Sequence, residues 1–182
     1  LRFGFEGVTV APDGTLWVAQ QREWDDYVGA SCTQFNDAAG TTALWRYLPE
    51  TGAWEQYPYV LDDPSSAGGW VGLSEITAYG NNAFLVVQRD NQIGTNAEVK
   101  RLYTVTVPST PGPVVKGDVV DLLPALEATN GIVLDKVEGA MVTLDGDLWI
   151  STDNDGVDDH PGESLFRNLG QASTLVDAGR QE

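Results

Sequence analysis

Three stretches of this 182-residue chain resemble one another, and such self-similarity constrains the fold more than any other feature. They are FEGVTVAPDGTLWVAQQ (5–21), LSEITAYGNNAFLVVQRD (73–90) and VEGAMVTLDGDLWISTDND (137–155). Each contains a glutamate, a short apolar stretch, a turn of Gly, Asn or Asp, and a second apolar stretch. A third shared element follows a polar loop in each copy: ALWRY (43–47), RLYTV (101–105) and SLFRN (164–168), which aligns Leu44, Leu102 and Leu165. The glutamates Glu6, Glu75 and Glu138 lie 69 and 63 residues apart, so the repeated unit has sixty-odd residues.

The repeated unit has the pattern of antiparallel β-structure. Alternating apolar residues such as Val8 and Val10 have the two-residue period of half-buried strands. Hairpin turns are indicated between the apolar stretches at Asp13-Gly14, Asn81-Asn82 and Asp145-Gly146. A fourth apolar segment ends each unit, which predicts a four-stranded antiparallel meander. The best helical candidate, VVDLLPALEATNG (119–131), contains a proline and ends at a glycine, so only a short helix is expected there.

The predicted fold class is all-β: a β-propeller segment of about three four-stranded antiparallel blades. A single domain, 1–182, would contain blades at about 1–68, 69–131 and 132–182. Repeats of this length are typical of propeller blades, which bury their faces against neighbouring blades. Three blades cannot close a ring, and propellers typically have about four to eight. The chain is therefore expected to be half of a six-bladed ring, completed by a missing segment, a second chain or a symmetry mate in a homodimer.

The charge of the chain restricts its partners. There are 27 Asp and Glu against 10 Lys and Arg, a formal net charge of −17. Such a field repels nucleic acid and anionic membranes and attracts divalent cations, so no nucleic-acid partner is expected. No apolar stretch reaches the about 18 residues of a membrane helix, so no membrane insertion is expected. The first residues lack the pattern of a signal peptide, and any targeting sequence is expected outside this chain.

The repeat brings polar side chains to one edge of the blades. In an antiparallel hairpin the start of the first strand and the end of the second lie at the same edge. The repeated glutamates begin the first strands, and the second strands end in Gln20-Gln21, Gln88-Arg89-Asp90 and Asp153-Asn154-Asp155. Carboxylates that converge there would favour a cation, and Ca²⁺ accepts oxygen ligands in flexible geometry. The alternative is that each glutamate caps a strand or bonds neighbouring backbone amides.

The acidic loop STDNDGVDDHPGES (151–164) does not match an EF-hand calcium loop. With Gly156 at the sixth position, Asp153 and Asp155 occupy the third and fifth positions, but the first is a serine and the twelfth a glycine. A predicted strand rather than a helix also precedes the loop. A calcium loop of another kind and a solvated turn both stay open.

Chemistry that depends on histidine or cysteine has little support. His160 and Cys32 are the only residues of their types, which disfavours zinc ligation and excludes an internal disulfide. HPGES lacks the G-x-S-x-G motif, which disfavours a Ser/His/Asp triad. Among the few cations, Arg22, Arg89 and Lys136 are placed to meet an anionic substrate, and surface ion pairs are the alternative.

Several segments also resemble the motifs of one family. FEGVTVAPDGTLWVAQQ, LWRYLPETGAW, SEITAYGNNAFLVVQRDN, KRLYTV, VEGAMV and STDNDG before GESLFRNLG look like successive motifs of the phytase-like domain (esterase-like activity of phytase) of bacterial secreted proteins. The resemblance spans nearly the whole chain. It implies a β-propeller, an extracytoplasmic location, whether secreted or periplasmic, and hydrolysis of phosphoric monoesters by analogy with calcium-dependent propeller phytases.

The resemblance also implies a cofactor and a site. Ca²⁺ is the implied cofactor, and Arg89 and Lys100 would bind a small anionic substrate. The implied metal ligands are Glu6, Glu75, Asp90, Glu138, Asp153 and Asp155. No catalytic residue is assigned.

Two alternatives to a phosphoric ester hydrolase stay open. FEGVTVAPDGTLWVA with LWRYLPETG is also similar to gluconolactonase-like six-bladed propellers, in which a glutamate helps to bind one metal ion for lactone hydrolysis. The other alternative is a non-catalytic, calcium-stabilised extracellular propeller with a binding or structural role.

Overall fold

The computed structural model describes residues 3–24, 37–134, 136–153 and 164–176. The sequence-based interpretations of Cys32, Asp155 and His160 concern residues that lie outside these ranges. Within the described ranges the chain forms three antiparallel sheets of four, four and three strands, which do not close a ring. The predicted all-β fold class is confirmed.

Each sheet is one blade. Blade 1 contains β1 (Phe5–Val10), β2 (Leu16–Gln20), β3 (Thr41–Leu48) and β4 (Ala53–Val60). Blade 2 contains β5 (Val71–Gly80), β6 (Ala83–Asp90), β7 (Lys100–Thr106) and β8 (Val115–Asp121). Blade 3 contains β9 (Val137–Val142), β10 (Asp147–Thr152) and β11 (Phe166–Gln171). In every blade, strands that are consecutive in sequence pair with one another, as a meander requires.

The hairpin turns form where the sequence predicts them. Gly14, Asn82 and Gly146 have φ values of 83°, 54° and 90°, in the left-handed region that Gly and Asn tolerate best. Asp13 reinforces the first turn, because its Oδ1 accepts hydrogen bonds from Thr15 N (3.0 Å) and Thr15 Oγ1 (2.6 Å). These turns fix the register of the strands on either side.

Blade 3 differs from the prediction after its third strand. The segment that follows β11 forms the short helix α2 (Ala172–Leu175) instead of a fourth strand in the described part of the chain. Ala172 and Val176 are buried in the apolar core between blades 2 and 3. The apolar residues of this segment therefore cover the core from a short helix rather than from a fourth strand. The short helix predicted before blade 3 is present as α1 (Leu123–Asn130), and Gly131 ends it with φ 72°.

Strand pairing also corrects the alignment of the third strands. Leu44 pairs with Ala19 and Leu102 with Val87, whereas at the equivalent position of blade 3 the partner of Ser151 is Phe166. Phe166, not Leu165, is therefore the structural counterpart of Leu44 and Leu102. A slip of one residue matters because it moves a side chain to the opposite face of the sheet.

Two apolar cores lie between the blades, and β6 contributes to both. Phe84 and Val86 are buried in the core shared with blade 1, while Leu85 and Val87 are buried in the core shared with blade 3. Because residues 84–87 of β6 are covered on both faces of the sheet, this part of the strand is the uninterrupted apolar run FLVV. Blade 2 is thus the interior blade of the described structure.

The first strands of the three blades lie side by side. Ala78 N of β5 donates a hydrogen bond to Thr9 Oγ1 of β1 (3.0 Å), and Thr77 Oγ1 donates one to the carbonyl of Ala140 in β9 (2.6 Å). A Cβ atom at Gly7 would lie 2.4 Å from Ile76 N, so only glycine permits this approach of β1 to β5. β1, β5 and β9 are therefore the inner strands of the array. Among the described residues, no helix has the length and apolar character needed to cross a membrane.

Candidate functional site

The starts of the inner strands and the ends of the second strands share one rim, as the topology predicts. Backbone hydrogen bonds extend each hairpin there: Gln21 N to Gly4 O (2.9 Å), Asn91 N to Trp70 O (3.1 Å) and Asp153 N to Lys136 O (2.9 Å). Leu73 N of blade 2 also donates to the carbonyl of Gln21 in blade 1 (2.8 Å). We call the group Glu6, Glu75, Arg89 and Glu138 at this edge the glutamate rim.

A β-bulge interrupts each inner strand at the same place. Two consecutive inner-strand residues there oppose a single residue of the second strand. The opposed residues are Glu6-Gly7 with Ala19, Ser74-Glu75 with Val87, and Glu138-Gly139 with Ser151. Ser74 is therefore the counterpart of Glu6 and Glu138, and Glu75 lies one position further along. The sequence alignment of the three glutamates was wrong by one residue in blade 2.

This displacement gives Ser74 and Glu75 different roles. The Ser74 hydroxyl is buried and donates a hydrogen bond to the carbonyl of Val137 (2.5 Å), which ties β5 to β9. Glu75 is half-buried, and its Oε1 accepts a hydrogen bond from Ile76 N (2.7 Å). In blade 2, Ser74, which links β5 to β9, thus occupies the position that Glu6 and Glu138 have in blades 1 and 3.

Arg89 carries positive charge into the glutamate rim. Its side chain is only 4% exposed, and its Nη2 donates a hydrogen bond to Glu138 Oε1 at 2.6 Å. The guanidinium carbon also lies 5.4 Å from the ring centre of Trp70, a cation–π distance. This ion pair joins the end of β6 to β9 and is far less screened than a surface pair.

The remaining two glutamates have raised pKa values. Burial, and then the nearby charge of Glu138, raises the pKa of Glu75 to about 7, against the lowering effect of its hydrogen bond from Ile76. Loss of hydration beside the neighbouring strands, and then the charge of Glu138, raises the pKa of Glu6, although its side chain stays exposed. The positive charges of Arg89 and Lys136 oppose this rise. The rim therefore disfavours the charged forms of Glu6 and Glu75.

Asp90 and Lys100 form a buried pair beneath the rim. Both side chains are 0% exposed, and Lys100 Nζ lies 2.9 Å from Asp90 Oδ1. Asp90 Oδ2 also accepts hydrogen bonds from Glu98 N and Val99 N at 2.8 Å each. The same lysine donates to the Asp90 carbonyl (2.8 Å). This geometry favours a structural role for both residues over the predicted contacts with metal and substrate.

The carboxylates suit a hard cation in chemistry but do not form a compact cage. Across residues 3–24, 37–134, 136–153 and 164–176, no group of three or more His, Cys, Asp or Glu side chains is placed to hold a metal ion. Asp153 is exposed at the rim. A dication at the rim would favour the charged forms of Glu6 and Glu75, whose pKa values burial and Glu138 raise. The calcium ligand set stays a prediction.

Sequence reasoning missed a second polar cluster, around Asp62. The Asp62 carboxylate accepts hydrogen bonds from Lys116 Nζ (2.6 Å), Tyr103 Oη (2.7 Å) and Arg101 Nη1. These bonds outweigh the effect of burial and hold the pKa of Asp62 at about 2. A groove of about 500 Å³ lies beside the cluster. Arg101 and Tyr103 lie two residues apart on β7 and Lys116 lies on the paired strand β8, but only the folded structure shows that all three contact the carboxylate of Asp62.

A family model described as Phytase-like, esterase-like activity of phytase, matches residues 2–156. The chain belongs to the phytase-like family. No curated protein and no solved structure matched the chain in the corresponding searches. The match covers the inner strands of all three blades, so Glu6, Glu75, Arg89 and Glu138 all lie within the phytase-like region.

The pH dependence of stability tests the electrostatics of this phytase-like rim. The pKa of the Glu75 carboxyl is about 7 in the folded protein and about 4.5 in the unfolded chain. Between these pH values the folded state therefore binds more protons than the unfolded state. Stability should therefore fall as pH rises from about 4.5 to 7 and level off above, with about 1.4 kcal/mol per unit as an upper limit that solvent screening reduces. We expect Glu75→Gln to remove this slope, so that the variant is more stable than wild type at pH 8 and equal to it at pH 4.

Urea unfolding across this pH range, with chelator present, is the measurement. Glu50→Gln is the matched control, because Glu50 is exposed on a turn of blade 1. Parallel pH profiles for wild type and Glu75→Gln would show that Glu75 titrates normally.

Proposed function

We propose that this phytase-like protein hydrolyses phosphoric esters at the glutamate rim, outside the cytoplasm, with Ca²⁺ as its cofactor. The observation that carries the proposal is the convergence of Glu6, Glu75 and Glu138 from three inner strands beside the guanidinium of Arg89. Carboxylates together with one buried cation are the groups needed to hold a dication and to meet an anionic ester. Membership of the phytase-like family supports the reaction class.

Within this proposal Arg89 is the residue that meets the substrate. Its guanidinium is held rigidly by Glu138 and Trp70, so little side-chain entropy remains to be lost when an anion binds. A phosphoryl group at the rim would share this guanidinium with Glu138. Lys100 has no such role in the proposal, because its ammonium group is buried against Asp90.

The calcium part of the proposal rests on the rim carboxylates, since a bound cation would offset the burial that disfavours the charged forms of Glu6 and Glu75. Glu6, Glu75, Glu138 and the exposed Asp153 would hold the ion, with Asp155 as a predicted ligand outside the described residues. When bound, Ca²⁺ supplies charge stabilisation for a phosphoryl oxygen and lowers the pKa of a bound water. The chain's own contribution is to keep these carboxylates on adjacent inner strands.

One observation favours a second candidate function, a non-catalytic calcium-stabilised propeller. Both strongly buried cations near the rim, Arg89 and Lys100, already bind carboxylates of the same chain. The Arg89–Glu138 pair links blades 2 and 3, and the Lys100–Asp90 pair links two strands of blade 2, so both have a structural role without a ligand. A binding module would use the same rim for Ca²⁺ without turnover.

A phosphatase assay with calcium control separates these functions. We expect the protein to release phosphate from p-nitrophenyl phosphate and from phytate in Ca²⁺, to lose activity in chelator and to regain it when Ca²⁺ is restored. Glu138→Gln should lower kcat by about 100-fold or more, since it removes charge at the reacting centre. Glu50→Gln, at an exposed turn, should leave kcat unchanged.

The competing outcomes are distinct. A melting temperature that rises with Ca²⁺ while no phosphate is released at any Ca²⁺ concentration would identify the binding module. Turnover of a sugar lactone without phosphate release would identify a lactonase. If neither the melting temperature nor the activity changed with Ca²⁺ concentration, Ca²⁺ would not be the cofactor.

A further inference from the structure

Arg22 of blade 1 crosses onto the start of blade 2 at Gly72. A Cβ atom at Gly72 would lie 3.1 Å from Arg22 Cγ and 3.1 Å from Trp70 Cζ3. Gly72 pairs with Arg89, and positions directly opposite each other in an antiparallel pair point to the same face of the sheet. The Arg22 stem, the Trp70 ring and the Arg89 side chain therefore lie on one face at the rim end of the β5–β6 hairpin.

Both guanidinium groups lie against the Trp70 ring. The Cζ atoms of Arg22 and Arg89 are 5.5 Å and 5.4 Å from the centre of this ring, which are cation–π distances. Arg22 Cζ also lies 4.8 Å from the ring centre of Phe3, and the centres of the Phe3 and Trp70 rings are 5.4 Å apart. Two positive charges from different blades therefore converge on one indole ring.

The backbone of Trp70 is held in place by Asn91. The N–H of Trp70 donates a hydrogen bond to Asn91 Oδ1 (2.8 Å), and its carbonyl accepts one from Asn91 N (3.1 Å). Gly69 has φ 86°, and a Cβ atom there would collide with the Asn91 side chain, so only glycine permits this approach. The Trp70 ring is thus positioned in advance, and a ligand that binds beside it does not have to order this segment.

Arg22 has hydrogen-bonding capacity beyond its ion pair. Its Nη2 donates to Glu23 Oε1 at 2.7 Å, and its side chain is 22% exposed. In the part of the chain that the structure describes, the buried Nε of Arg22 has no hydrogen-bond partner. Because a guanidinium group carries five N–H donors in a planar fork, one carboxylate oxygen leaves donors for a second anion. The sequence left open whether Arg22 meets a substrate or makes only a surface ion pair, and these contacts favour the substrate.

We propose that Arg22 and Arg89, around Trp70, form a subsite beside the glutamate rim that binds the phosphate dianion of a monoester. This assignment rests on the proposed function, because it names the substrate class of the same rim. Two guanidinium groups match the two negative charges of a terminal phosphate, whereas a phosphodiester carries only one. Glu23 and Glu138 hold the two guanidinium groups in place when no ligand is bound. We call Arg22, Trp70 and Arg89 the arginine subsite.

The first measurement is equilibrium binding of inorganic phosphate at pH 8, by calorimetry, in chelator and at Ca²⁺ concentrations that keep phosphate soluble. Arg22→Gln is expected to raise the Kd for phosphate by about tenfold or more under both conditions, since it removes charge-assisted hydrogen bonds to the anion. Arg22→Lys keeps the charge without the planar fork and should recover part of the affinity. Dimethyl phosphate, a monoanion, should bind the wild type more weakly and lose less affinity in Arg22→Gln.

Arg46→Gln is the matched control. Arg46 also forms an ion pair with a glutamate, Glu55, and its Cζ lies 5.6 Å from the ring centre of Trp17. Arg46 is opposite Trp17 in the pairing of β2 with β3, away from the end of β2 that lies at the rim. The control therefore loses the same charge and the same kinds of contact at a different place. Its Kd for phosphate should equal that of the wild type.

Tryptophan fluorescence locates the bound anion. Phosphate is expected to change the fluorescence of the wild type, because it binds beside the Trp70 ring. The change should be lost in Trp70→Phe, which keeps an aromatic ring beside both guanidinium groups, while calorimetry still detects binding. Near-ultraviolet circular dichroism should show that Arg22→Gln and Trp70→Phe keep folded aromatic cores.

The outcomes separate the arginine subsite from the proposed function. If phosphate binding depends on Arg22 but no ester is hydrolysed, the subsite stands and the hydrolase proposal fails. If p-nitrophenyl phosphate is hydrolysed and Arg22→Gln changes neither KM nor the Kd for phosphate, the hydrolase stands and the subsite is wrong. Equal losses of affinity in Arg22→Gln and Arg46→Gln, or a folded wild type that binds no phosphate at millimolar concentration, would also overturn the subsite. Equal losses for phosphate and dimethyl phosphate would contradict its preference for a dianion.

Discussion

Replacing Asp90 with alanine is expected to lower the free energy of unfolding by about 3–5 kcal/mol, measured by urea unfolding. The carboxylate is fully buried, 2.9 Å from Lys100 Nζ, and it also accepts hydrogen bonds from Glu98 N and Val99 N. Alanine would leave the buried ammonium group without its carboxylate and two backbone amides without an acceptor. Each of these losses has the cost of a desolvated polar group, which is why the expected effect is large.

The double variant Asp90→Ala, Lys100→Met distinguishes a structural pair from a metal ligand. If the aspartate serves mainly to neutralise the lysine, the double variant should be more stable than Asp90→Ala alone, since no unpaired charge stays buried. The loss in Asp90→Ala should also be equal with Ca²⁺ and with chelator. A loss that appears only in Ca²⁺ would assign Asp90 to the metal and contradict the structural role.

Replacement of Trp17 by alanine is expected to lower the free energy of unfolding by about 3–5 kcal/mol, because it leaves a cavity in the core between blades 1 and 2. The ring is 1% exposed and packs between Phe84 and Tyr57, and its Nε1 donates to Thr15 Oγ1 at 3.0 Å. Trp17→Phe retains most of the volume and should cost clearly less. Leu144→Ala, at a fully exposed turn, should change stability by less than about 0.5 kcal/mol.

Urea or thermal unfolding gives these values, and the order of the three variants is the informative result. If Trp17→Ala were no worse than Leu144→Ala, blades 1 and 2 would not form one cooperative unit. A transition that splits into two steps would mean that blade 1 unfolds separately from blade 2.

Most of the fold could be predicted from the sequence because strands and hairpin turns are local. The period-two pattern of β1 and the turns at Gly14 and Gly146 need no distant contact to be recognised. The end of blade 3 could not be predicted in this way. An apolar segment suits either a strand or a helix, and only the core between blades 2 and 3 determines that Ala172 begins a helix.

The candidate site was predictable in position but not in detail. The hairpin topology places Glu6, Arg89 and Glu138 at one rim from sequence alone. Burial is a tertiary property, and nothing in the string VKRLY shows that Lys100 is fully enclosed while Arg101 reaches solvent. The register of Glu75 was missed for a related reason. A bulge inserts one residue without any change in composition, so Leu-Ser-Glu and Phe-Glu-Gly look equivalent when only glutamates are aligned.

The shared bulge also shows how one blade can differ from its neighbours without repacking. At the bulge, two adjacent inner-strand residues oppose a single residue of the second strand. A blade can therefore carry its acidic residue at either position without a change in the pairing of the apolar residues on both sides of the bulge. Blades 1 and 3 use the first residue and blade 2 uses the second. A designer who repeated blade 1 in place of blade 2 would reproduce the scaffold and erase this offset, and with it the carboxyl group of Glu75, whose pKa the fold raises to about 7.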